Sequence, residues 1–169
     1  MEYLAKPKVA LREEADGMVY GYRIVAPRWA NSSLSGVGAF EYGGRWNSPG
    51  RHVVYLGGSR ALSALEMLVH LTTPSARKKV YKLIRVGIPA DAIAHYPNEI
   101  LPARWRKDAS LKHTQELGDD WLQANSQLAL TVPSALIPEE SNILLNPKHP
   151  RFSEVVLEAP YVFQFDPRL

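Results

Sequence analysis

The chain has 169 residues, 46% of them hydrophobic and 22% charged, with a formal net charge of +3 and no cysteine. That is the length of one domain and the composition of a soluble globular protein; it excludes a disordered or fibrous chain, disulfides and thiolate metal sites. No apolar run approaches the ~20 residues of a membrane span, the first residues show no signal-peptide core, and Lys and Arg are too scattered to form a nucleic-acid-binding stripe, so the expectation is a cytoplasmic protein.

In chain order, residues 18–25 alternate strictly, with Met18, Tyr20, Tyr22 and Ile24 on one face and Val19, Gly21, Arg23 and Val25 on the other, and read as a strand. Residues 27–40 form a loop or short helical turn. Gly43-Gly44 and Ser48-Pro49-Gly50 are turn signals around Arg45-Trp46-Asn47. A second strand spans 52–56. Gly57-Gly58 breaks it, and Ser59 can cap a helix over 60–71 whose apolar face is Ala61, Leu62, Leu65, Leu68 and Val69. A strand at 80–88 stops at Pro89. A helix spans 110–124 with Leu117, Trp121 and Leu122 inward, and a strand spans 127–132. Residues 133–150 read mostly as loop, and 154–157 and 161–165 as closing strands. This is an α+β pattern rather than alternating βαβ units.

Five residues along this path could carry chemistry. Arg23 interrupts an apolar strand; it is either a structural ion pair or a phosphate anchor, since the guanidinium fork binds phosphate oxygens bidentately. Arg45 follows two glycines that let backbone approach a ligand closely, or it lies exposed on a hairpin turn. Tyr55, at the end of a strand, can stack on a flat ring or fill the core. Glu66 lies mid-helix between apolar neighbours, either on a solvated face or held against an apolar wall to grip a substrate; His70, one turn on, reads as a satisfied partner. Ser134 follows a strand outside any Gly-x-Ser-x-Gly elbow, and is either a ligand donor or a turn residue. Arg104, Trp105 and Arg106 could contact a base or cap a surface turn. There is no zinc signature, P-loop or Gly-x-Gly-x-x-Gly, and the five histidines are dispersed.

Taken together and in order, these residues resemble the RES-domain toxins. The matching segments are Tyr22-Arg23-Ile24, GGRWNSPGRHVVYLGGS (43–59), ALSALEMLVHL (61–71), LGDDWL (117–122) and VPSALIPEESNILLNPKHPRF (132–152). The resemblance runs from about Tyr20 to Phe165 within a single domain, 1–169; about 1–18 reads as an N-terminal extension outside the family pattern. It implies an ADP-ribosyltransferase-like fold, a small split β-sheet core flanked by helices. It implies depletion of NAD by hydrolysis or phosphorolysis, or in some members ADP-ribosylation of a protein. NAD is then the substrate, with no other cofactor and no metal. It also implies a partner: an Xre-like helix-turn-helix antitoxin that blocks the active site and through which alone the pair touches DNA.

By motif, the family's catalytic and NAD-binding residues fall on Arg23, Arg45, Tyr55, Glu66 and Ser134. Loss of nicotinamide leaves an oxocarbenium-like ribose, as in glycoside hydrolysis. The expected roles follow: Arg23 and Arg45 hold the diphosphate, Tyr55 stacks on nicotinamide or ribose, Glu66 stabilises the cation, and Ser134 orients the ribose or the acceptor. Two other classes compete. A non-enzymatic nucleotide-binding module would not need Glu66, and a ribonuclease toxin would need a general acid–base pair.

Overall fold

Residues 18–25 form the first strand, β1 (Met18–Val25), over the span that their alternation assigns. The computed structural model describes residues 11–96 and 100–169. The strands that follow are β2 (Val54–Gly57), β3 (Tyr81–Pro89), β4 (Ile93–His95), β5 (Ala129–Pro133), β6 (Ser141–Leu145), β7 (Val156–Leu157) and β8 (Tyr161–Phe163). The α-helices are α1 (Val37–Tyr42), α2 (Arg60–Leu68), α3 (Pro74–Arg77) and α4 (Leu111–Ala124). The strands join in the order β4-β5-β6-β2-β1-β3-β7, with β8 also on β3. The α+β class expected from the pattern is the class observed.

Three elements depart from the expectation. β6 falls within a stretch read as loop, yet it sits centrally between β2 and β5. Its apolar residues Ile143, Leu144 and Leu145 are all buried, so both faces are covered and no alternation marks it. β4 pairs in parallel with β5 over three residues, too few to show a period. α2 ends at Leu68, three residues early: His70 and Leu71 bond back three residues in tighter turns, and Thr73 then caps a new short helix that Pro74 begins.

The core lies on both faces of the sheet. One face buries Val19, Val25, Val54, Leu56, Ile84, Val86, Ile88, Ile143 and Leu145. The other packs Val53, Leu130, Val132 and Leu144 against Trp46 and Trp105. Each such side chain contributes roughly 1.5–3 kcal/mol by leaving water. α4 seals the second face through Gly118. A Cβ added there would lie 1.7 Å from the Trp46 carbonyl oxygen, so only glycine lets the helix backbone meet the 43–50 loop.

The feature that makes the site is a partial split. β1 pairs with β3 at every position but with β2 at one, Tyr22↔Gly57. Beyond that pair, Arg23–Val25 and residues 54–56 part. The sheet thus has two sides, β1-β3-β7-β8 and β2-β6-β5-β4, joined at one point. α2 lies over the join: Ser63 Oγ donates to the Tyr22 carbonyl at 2.6 Å. Gly57 permits this contact, since a Cβ there would stand 2.8 Å from the Ser63 nitrogen.

Candidate active site

α2 begins where the sequence places it. Ser59 is extended, and its Oγ accepts from the Leu62 N–H at 3.0 Å. With the helix thus registered, Ser63 faces the join and Glu66 follows almost a turn later on the same side. Leu62 is buried at 1% exposure, but Leu65 and Val69 are exposed, so the apolar stripe expected for this helix is covered only in part. His70 is exposed and takes no part in the site.

Glu66 Oε1 accepts two hydrogen bonds, from Ser134 Oγ at 2.7 Å and from Asn142 Nδ2 at 2.6 Å. Ser134, at the end of β5, is fully buried. Its oxygen accepts from the N–H groups of Leu136 and Ile137 at 3.1 and 3.2 Å. Both lone pairs being occupied, the hydroxyl proton goes to Glu66. Asn142 stands on β6, opposite Gly57 on one side and Val132 on the other. Its Oδ1 is buried with no partner. The sequence pattern puts Asn142 in a loop with no role; recognising β6 as a strand is the signal that singles out a polar residue in a central position.

Arg23 bridges the split. Its Nη1 donates to the Tyr55 carbonyl at 2.9 Å, while its Nε is buried without a partner. Burial lowers the guanidinium's pKa from its ordinary value. Among the described residues no carboxylate pairs with it. A desolvated cation without a counter-ion is a standing attraction for an anion.

Tyr55 organises the neighbouring loop. Its hydroxyl donates to Asn47 Oδ1 at 2.7 Å and accepts from the Trp46 N–H at 3.1 Å. Burial raises its pKa, so the phenol stays protonated. Asn47 is fully buried and its Nδ2 donates to the Ala39 and Ser48 carbonyls, each at 3.0 Å. α4 pins the same loop through Gln115 Nε2 to the Gly44 carbonyl and Asp119 Oδ1 from the Ser48 N–H. Arg45 rides on this frame with Nη1 on the Trp105 carbonyl at 3.2 Å. Trp105 itself is buried at 8% exposure and packs on Trp46, so it plugs the core instead of offering a base-stacking surface.

The structure therefore joins Glu66 directly to Ser134, and Arg23 to Tyr55 through the latter's carbonyl. Arg45 meets this group only through the loop that Tyr55 holds. A cavity of about 240 Å³ lies to one side, lined by Tyr20, Tyr22, Ser59, Glu140 and Ser141 with residues 11, 12 and 14; none of the five expected site residues lines it.

Residues 21–166 match the RES domain. A protein of Yersinia enterocolitica serotype O:8, named Toxin Res, is 40% identical over 88% of this chain and 97% of its own length. A Sphingobium protein named Prs ADP-ribosylating toxin is 35% identical over 80% of this chain and 86% of its own. The crystal structure of the Mycobacterium tuberculosis MbcT–MbcA toxin–antitoxin complex contains a chain that superposes with a TM-score of 0.72 at 19% identity, covering 89% of this chain and 86% of that one. The fold is thus shared across low identity, and the chain belongs to the RES-domain family.

Proposed function

We propose that the protein is the toxin of a toxin–antitoxin pair and cleaves the nicotinamide–ribose bond of NAD. The observation that carries this reading is a carboxylate held on one oxygen by Ser134 and Asn142, on the helix that covers the join of a split sheet in which a guanidinium is buried without a counter-ion. Arg23 offers charge to the diphosphate, and Arg45 extends that grip from the loop. Glu66 presents negative charge to the ribose. As the bond between C1″ and the nicotinamide nitrogen breaks, its electron pair passes to nitrogen and neutralises the pyridinium. The sugar gains positive charge at C1″, which the Glu66 carboxylate stabilises more strongly than it does the ground state. Water then adds to C1″ and loses a proton, giving nicotinamide, ADP-ribose and H⁺. With phosphate as the acceptor the product is ADP-ribose 1″-phosphate.

Tyr55 and Ser134 act as positioning residues in this scheme, because their hydroxyls are committed to the protein. The protein acts in the cytoplasm, and its partner is an antitoxin of the Xre-like helix-turn-helix type that covers the split and supplies the contact with DNA. Among the described residues no helix is long and apolar enough to cross a membrane.

The test is NAD loss with purified protein, in water and in phosphate buffer, with products identified by NMR. Free nicotinamide from the wild type and about 10³-fold less from Glu66→Gln is the expected result; no nicotinamide from folded wild type overturns the reading. The name of the Sphingobium relative favours one second reading, transfer of ADP-ribose to a protein. Labelled NAD incubated with a cell extract would then mark a protein band instead of releasing free sugar.

A further inference from the structure

Asn142 and Ser134 donate to the same oxygen of Glu66, at 2.6 and 2.7 Å, and no described residue donates to the other. The carboxylate is therefore asymmetric: Oε1 is filled by the protein and Oε2 is left for a ligand. Only the N–H end of an amide can face a carboxylate, so charge fixes the orientation of Asn142. That orientation buries Oδ1 with no donor. Asn142 is half-buried and shares its face of β6 with Leu144, where an apolar side chain would orphan no acceptor, so packing gives no reason for an asparagine here.

We propose that Asn142 is a positioning residue for Glu66, which with Ser134 fills Oε1 and aims Oε2 at the ribose of the bound dinucleotide. The proposal rests on the NAD reading of the site. A hydrogen bond to a charged group accounts for about a 10- to 100-fold effect. Asn142→Leu, of similar size but with no donor, is expected to lower kcat by that factor with KM little changed and with thermal stability retained.

Asn142→Asp separates positioning from packing. Two carboxyl groups in this contact share one proton. The protonated aspartic acid donates to Glu66 as the amide does; the ionised one repels it. Turnover in this variant is expected to approach that of the wild type toward acid pH and to fall away as the shared proton leaves, a limb absent from the wild-type profile. The other charged or titratable groups on the surrounding elements are Tyr22 and Arg23 of β1, Tyr55 of β2, Glu139 and Glu140 before β6, and Arg60 and His70 at either end of the α2 segment; all are common to both proteins. Unchanged kcat in Asn142→Leu, or a ratio of Asn142→Asp to wild type that is constant with pH, overturns the proposal. If the wild type releases no nicotinamide, the NAD reading fails, and NMR titration of ¹³C-labelled Asn142→Asp decides the pairing instead. A step well above the ordinary carboxylate range supports it, and two ordinary steps overturn it.

Discussion

Two arginines stand on adjacent strands of the sheet, a residue apart in register, and the protein treats them in opposite ways. Arg85 of β3 lies opposite Tyr22, and Arg23 of β1 lies opposite Ile84. Arg85 donates to Glu14 and to Glu158, and its guanidinium lies 3.3 Å from the centre of the Tyr20 ring. Those partners raise its pKa, with the Glu14 hydrogen bond the largest cause. Arg23 has one backbone carbonyl and no carboxylate, and burial lowers its pKa. Both leave Nε buried and unbonded, so the difference lies in the counter-charge. A guanidinium saturated by the protein's own acids holds the fold together; in the proposed function, the one left unsaturated holds a place for the substrate's anion. Part of the N-terminal extension also packs on the sheet. Glu14 reaches Arg85, Glu13 bridges to Val19 and Leu11 packs on the core.

The sharpest way to break the contrast is at the acid proposed to serve the substrate. Glu66→Gln keeps the shape and removes the charge; turnover should fall about 10³-fold with melting temperature unchanged, read by nicotinamide release. Next comes the unsaturated arginine. Arg23→Met should weaken NAD binding about 100-fold, and Arg23→Lys should recover little, because an ammonium cannot fork across phosphate oxygens. Calorimetric titration of NAD into Glu66→Gln backgrounds measures this without turnover, and an unchanged affinity would merge the two arginines into one structural class.

A smaller effect is expected at Tyr55. Tyr55→Phe leaves Asn47 Oδ1 and the Trp46 N–H without their partner and should cost about 1–3 kcal/mol of stability at neutral pH. Because burial raises the phenol's folded pKa above its unfolded value near ~10, the stability linked to its proton is whole below that value. It drains as pH rises beyond it, and denaturant melts of the phenylalanine variant should lack that alkaline slope. Least of all should depend on Arg85. Arg85→Met should leave kcat/KM for NAD unchanged and lower the melting temperature slightly; a large loss of activity would erase the distinction between the two arginines.

Much of this was legible in the residues. β1 stands where alternation puts it, α2 starts at the residue Ser59 caps, and Arg23 stood out as a charge in an apolar strand. The central strand β6 was not legible, because a strand buried on both faces loses its period and its flanking prolines imitate a loop. With β6 hidden, Asn142 could not be placed beside Glu66. The Glu66 hydrogen bonds span 68 and 76 residues, a pairing that no local pattern encodes. The roles expected of Ser134 and Tyr55 also needed the structure, since only coordinates show that their hydroxyls are already committed.

Gly118 carries a consequence for genetics. It presses the α4 backbone onto the Trp46 carbonyl, and any side chain there collides with main chain that cannot yield. A selection for survivors of this protein's expression will therefore recover Gly118 substitutions alongside those at Glu66, because shifting α4 displaces the loop that bears Arg45. Such alleles will mimic lesions in the chemistry while lying outside it, and because the Cβ itself makes the collision, even Gly118→Ala belongs among them.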